Sequence, residues 1–155
     1  MESLEYYKLG LLLFLLLLSG FFSSAETAYF NLRKHRGNFS NRVKNIIDQP
    51  EKLLVTILTG NTFVNIALAS LAALITHEFA SDNGLDKEKV ILIEVFVVSV
   101  VILIFGEILP KILALRNSEK LAELFQFPIK ILLVLFALFI YLSNIIIKIP
   151  TLLPM

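Results

Sequence analysis

Apolar stretches of unusual length constrain this 155-residue chain more than any other feature. Leu9–Phe30, Leu53–Thr76 and Val90–Leu115 each reach the roughly 20 apolar residues that cross a hydrocarbon core, and Ile129–Ile147 comes close. Composition agrees, since 57% hydrophobic residues and a mean hydropathy of +0.80 stand well above an ordinary soluble domain. The reading is an all-α polytopic membrane protein. The first stretch is a retained span rather than a signal peptide, because Glu2 and Glu5 precede it and it outruns the short core of such peptides. With no cysteine, disulfides, thiolate metal sites and cysteine nucleophiles are excluded. A net charge of +1 gives no electrostatic ground for a nucleic-acid partner, so membrane lipid, small ions and other helices are the partners to expect.

Charge sets the topology. Between the first two spans lie Arg33, Lys34, Arg36, Arg42, Lys44 and Lys52 against Asp48 and Glu51, whereas His77–Lys89 is acidic, with Glu78, Asp82, Asp86 and Glu88. The positive-inside rule therefore puts the N-terminus outside and residues 31–52 in the cytosol of a multi-pass cell-membrane protein. Phe39, Val43, Ile46 and Ile47 recur at helical spacing, which predicts a juxtamembrane amphipathic helix over about 33–50, against the alternative of a solvated basic loop. A second short surface helix is expected through Leu121, Leu124 and Phe125, stopped by Pro128. Hydropathy alone makes Ile129–Ile147 a fourth span; an interfacial or re-entrant course is the other reading.

Polar residues interrupt the spans at matching depth. At about 1.5 Å per residue, Ser23 and Ser24 lie roughly 20 Å below Leu9, Asn61 and Asn65 roughly 12 and 18 Å above Leu53, and Glu107 roughly 25 Å below Val90. Three helices thus bring hydroxyls, amides and a carboxylate to the inner half of the bilayer. Ser19 and Ser23 share a stripe, as do Asn61, Asn65 and Ala69. Gly20, Gly60 and Gly106 lie among them and allow close helix approach. Pro110 lacks an N–H and so releases the carbonyl four residues earlier, that of Gly106; the Gly60 carbonyl would add another if the helix were irregular there. An all-oxygen set suits a hard cation, Mg²⁺, Na⁺ or Ca²⁺, rather than zinc or copper. A carboxylate at membrane depth costs roughly 3 kcal/mol or more to insert, which marks Glu107 as the strongest candidate.

Each residue also has a plainer role. Serines and asparagines in spans commonly bond neighbouring helices, Glu26 can pair with Lys111 or Arg33, and Glu94 lies near enough to the outer end to reach water. His77 and Glu78 border a solvated acidic loop, and Lys111 extends toward headgroups.

Taken together, Phe21-Phe22-Ser23-Ser24-Ala25-Glu26-Thr27-Ala28, Gly60-Asn61-Thr62-Phe63-Val64-Asn65-Ile66-Ala67 and Phe105-Gly106-Glu107-Ile108-Leu109-Pro110-Lys111 closely resemble the membrane domain of the CorC/CNNM magnesium transporter family. Three motifs in order cover essentially the whole chain, 1–155. The resemblance implies a homodimer with three spans per subunit (about 9–30, 53–76 and 90–115) and juxtamembrane helices at about 33–50 and 118–149. It also implies a following cytosolic CBS-pair domain that binds ATP and is missing here; the abrupt end at Thr151–Met155 accords with that expectation. An outside N-terminus and a cytosolic C-terminal domain require an odd number of crossings, so Ile129–Ile147 should not fully span. Ser23, Asn61, Asn65 and Glu107 match motif positions associated with a dehydrated Mg²⁺ in an inward-facing cavity; the family varies at Ser24. Mg²⁺ export, with Na⁺ exchange in some members, is the implied activity.

Two functions follow: a Mg²⁺-transporting domain working by alternating access, or a non-transporting anchor or regulator whose polar cluster only holds helices together. A Na⁺ or Ca²⁺ site in the same oxygens is a third reading. An enzyme is not expected, because no activated nucleophile and base are paired and His35 and His77 fall on opposite sides of the membrane.

Overall fold

The three long apolar stretches become three long helical segments: Tyr6–Lys34, Pro50–Asp82 and Lys87–Arg116 are each long and apolar enough to cross a membrane. The computed structural model describes residues 2–34, 39–137 and 141, and among them there is no strand. In chain order the elements are α1 (Glu2–Lys34), α2 (Asn41–Ile47), α3 (Pro50–Asp82), α4 (Lys87–Val101), a π-helical segment (Ile102–Ile108), α5 (Leu109–Arg116) and α6 (Ser118–Leu135). The chain is an all-α polytopic membrane protein.

Local chemistry explains the helix ends. Pro50 opens α3, where its missing N–H costs nothing. Beyond the end of α3, Gly84 takes the left-handed conformation (φ 62°), which lets the Leu85 N–H return 2.9 Å to the Ala80 carbonyl. Asp86 then caps α4 by accepting from the Lys89 N–H, and its carboxylate also pairs with the Lys89 ammonium at 3.1 Å.

Two compact units divide the helices. The first holds residues 1–24 and 61–113. Within it Lys8 of α1 forms an ion pair with Glu78 of α3, so Glu78 does more than border a solvated loop. Here α4 buries none of its residues, and Leu92 and Phe96 are each 71% exposed, as a surface facing lipid or another chain requires. One carboxylate oxygen of Glu94 is shielded and has no partner among the described residues.

The second unit holds residues 25–60 and 114–155. Its packing explains two departures from the sequence reading. The amphipathic helix predicted over 33–50 is only Asn41–Ile47, because α1 runs on to Lys34 and Ser40 adopts an extended backbone that starts α2 afresh. The Ser40 side chain accepts from the Val43 N–H at 3.3 Å, and the Glu123 carboxylate accepts from both the Ser40 N–H (2.7 Å) and hydroxyl (3.0 Å). Val43, Ile46 and Ile47 form its buried face. Likewise Pro128 does not stop a helix: α6 continues through it to Leu135. One backbone bond is lost there, but Ala122 and Ile129, both fully buried, hold the helix in place on either side. The Tyr29 hydroxyl donates to the Ala122 carbonyl at 3.0 Å, and Asn31 donates to the Ser118 hydroxyl at 2.8 Å. His35 and most of 138–150, including the question of whether 129–147 crosses, lie outside the described residues.

Candidate functional site

Three spans meet in the first unit around one serine. Ser19 of α1 is fully buried; its hydroxyl donates to Asn65 Oδ1 at 2.7 Å and lies 3.4 Å from Asn61 Oδ1. One hydroxyl has one proton, so the shorter contact is the bond and the Asn61 carbonyl oxygen is left largely unengaged by it. The third span closes on the same point, since a Cβ built on Gly106 would stand 2.7 Å from Ser19 Oγ. Only glycine fits that approach.

One turn farther along α1, Ser23 is 1% exposed, and its hydroxyl has no hydrogen-bond partner among the described residues. A buried polar atom left in this state costs roughly 1–3 kcal/mol. Ser24 is held differently: it donates to the Pro110 carbonyl at 3.3 Å, and its oxygen keeps lone pairs for another partner.

Why the third span bends its rules here follows from Pro110. The turn before it is π-helical, Ile102–Ile108, with the Leu109 N–H bonded five residues back to the Ile104 carbonyl. In that register the Phe105 carbonyl lies opposite Pro110, which has no N–H to give it. The π register thus adds the Phe105 oxygen to the carbonyl that α-helical counting expects Pro110 to release. Gly20 sits beside it: a Cβ there would lie 3.6 Å from the Phe105 oxygen and 3.2 Å from Pro110 Cγ. Glu107 lies inside the π segment, half-buried, and its carboxylate makes no hydrogen bond or ion pair among the described residues. π-turns of this kind occur often at functional sites.

The structure therefore brings Asn61, Asn65 and Gly106 together through Ser19, and ties Ser24 to Pro110. Glu107 and Ser23 are not joined to them by hydrogen bonds. The premise for Gly60 fails, because α3 is an uninterrupted α-helix from Pro50 to Asp82 and its carbonyl lies within the helical ladder. Sequence reasoning missed Ser19 as a site residue, although its four-residue spacing from Ser23 was the available signal. The π segment left no compositional trace. Among the described residues no three His, Cys, Asp or Glu side chains cluster, so neutral oxygens and one carboxylate are the donors this region offers.

The fold and this interior define a class: a helical, multi-pass membrane protein whose spans enclose oxygen-bearing side chains against close-packed glycines. Residues 10–153 match the Cyclin M transmembrane N-terminal domain, CNNM, and the chain belongs to that family. The family is of membrane-transport type and is linked to Mg²⁺ transport and homeostasis. Among its relatives, the UPF0053 protein of Haemophilus influenzae is 29% identical over 157 residues, covering 96% of this chain and 36% of the relative. The UPF0053 inner membrane protein YfjD of Escherichia coli is 30% identical over 135 residues, covering 82% of this chain and 30% of the relative. The chain thus spans about a third of the length of these curated relatives.

Proposed function

We propose that this chain is the membrane domain of a Mg²⁺ transporter, and that the ion passes through the oxygen cluster of the first unit. The observation that carries the reading is the Ser23 hydroxyl, buried to 1% exposure with no partner, one turn from the Ser19–Asn65 bond. If the cluster were only helix glue, that hydroxyl would be expected to have a partner, as Ser19 and Ser24 do. Glu107 supplies the single negative charge. Ser23, Ser24, Asn61, Asn65 and the main-chain oxygens beside Pro110 replace water around the cation, as a hard, tightly hydrated ion requires. Gly106 acts here by letting the spans approach.

In this proposal export is the direction, Na⁺ the exchanged ion, and the inward-facing cavity belongs to a homodimer with its N-termini outside. Surface for the second copy is available on α4, which buries nothing within its own chain. A CBS-pair domain following this one is part of the same reading. Proteoliposomes loaded with a Mg²⁺-sensitive dye test the function: the wild type should give saturable Mg²⁺ flux and Glu107→Gln at least a tenfold slower one. Equal flux in both, or none in the wild type, favours the anchor or regulator reading.

A further inference from the structure

In the second unit α2 packs against α6, and an open groove of about 1010 Å³ lies along them. Its two sides differ in chemistry. From α6 come Ile131, Val134 and Leu135, which continue one helical stripe and are exposed, Val134 to 72%. Cations stand at its polar side: Arg42 of α2 and Lys130 of α6 are exposed, and neither takes part in an ion pair among the described residues. Asp48 is the acid in the lining, so two positive charges face one negative. Gln126 forms part of the groove wall. Its Nε2 donates to the Glu123 carbonyl (2.8 Å) and carboxylate (3.0 Å), which fixes the amide and leaves Oε1 shielded without a donor.

An anionic phosphate for the cations, a hydroxyl donor for the exposed Asp48, and a hydrocarbon chain for the α6 stripe occur together in one kind of molecule. Free phosphate would satisfy the first requirement alone. We propose that this groove binds one membrane glycerophospholipid with a hydroxyl-bearing headgroup, its phosphate held by Arg42 and Lys130 and an acyl chain laid along Ile131, Val134 and Leu135. The assignment is independent of the ion-transport reading, since it uses none of the residues of the first unit.

The test is native mass spectrometry of the delipidated protein titrated with palmitoyl-oleoyl phosphatidylglycerol, with inorganic phosphate as competitor. The wild type should retain one lipid per chain, undisplaced by phosphate at matched concentration. Arg42→Gln combined with Lys130→Gln should weaken retention at least tenfold, Val134→Asp should weaken it comparably, and Arg42→Lys with Lys130→Arg should keep it, all with unchanged helical circular dichroism. Equal retention in the wild type and the double glutamine variant would overturn the proposal. So would displacement by phosphate, or lipid that binds only after residues 142–155 are deleted, which would make the chain's own end, rather than lipid, the occupant.

Discussion

Ser19 and Gly106 show how one missing methyl group holds two spans at a set distance. A Cβ at position 106 would meet Ser19 Oγ at 2.7 Å and Ser19 Cβ at 3.3 Å, so Gly106→Ala forces the serine to give up Asn65 or the helices to part. Overpacking of this kind costs typically 1–3 kcal/mol, and thermal unfolding in detergent should register it as a lower midpoint. Ser23 should behave in the opposite way. Its buried hydroxyl is unpaired, so Ser23→Ala should leave the ion-free protein as stable or up to about 1 kcal/mol more stable, while Mg²⁺ affinity falls by about tenfold or more. A purely structural serine would not separate the two readouts. These positions were partly legible beforehand: Ser23, Asn61, Asn65 and Glu107 stand out because polar atoms are costly in an apolar run. Ser19 was visible only as a member of the same stripe, because nothing in its own surroundings distinguishes a serine that orients an amide from one that faces its own helix.

Helix ends and irregularities belong to the next scale, and there the sequence was a weaker guide. Span lengths were readable because lipid leaves no alternative to long apolar helices. The π turn was not, since a change of hydrogen-bond register needs no change in composition; Pro110 signalled a released carbonyl but not that Phe105's would be among those it leaves without an N–H. Replacing that proline returns an N–H to the third span. Pro110→Ala should therefore unfold at the same or a higher temperature than the wild type but lose most Mg²⁺ flux as the π segment relaxes toward α geometry. Pro128 was misread for a related reason, because tertiary packing of Ala122 and Ile129 outweighs one missing backbone bond. The start of α2 was hidden in the same way, being decided by a residue 83 positions away: Glu123 accepts from the Ser40 N–H and hydroxyl. Glu123→Ala should cost roughly 1.5–3 kcal/mol, as hydrogen bonds to charged groups do. Faster amide exchange confined to residues 40–47 and the segment around 123 would report it.

For the molecule as a whole, the two units differ in chemical character. In the first, spans are sparsely packed, glycines meet a serine and a proline, and the Ser23 hydroxyl, one Glu94 oxygen and the Glu107 carboxylate have no partner among the described residues. In the second, Tyr29, Asn31, Ser40 and Glu123 bond to neighbouring elements, while the buried Thr56 hydroxyl and Gln126 Oε1 have no partner among the described residues. The proposed assignment of transport to the first unit rests on its convergent oxygen donors, with the Ser23 hydroxyl unpartnered one turn from the Ser19–Asn65 bond. The family relationship gives that assignment its ion, and the oxygen chemistry of the residues accords with it. Isothermal calorimetry of Mg²⁺ binding to the purified protein, wild type beside Glu107→Ala, addresses the central claim most directly. The account predicts saturable binding by the wild type and at least a tenfold weaker Kd in the variant; identical Kd values for the two proteins would contradict it.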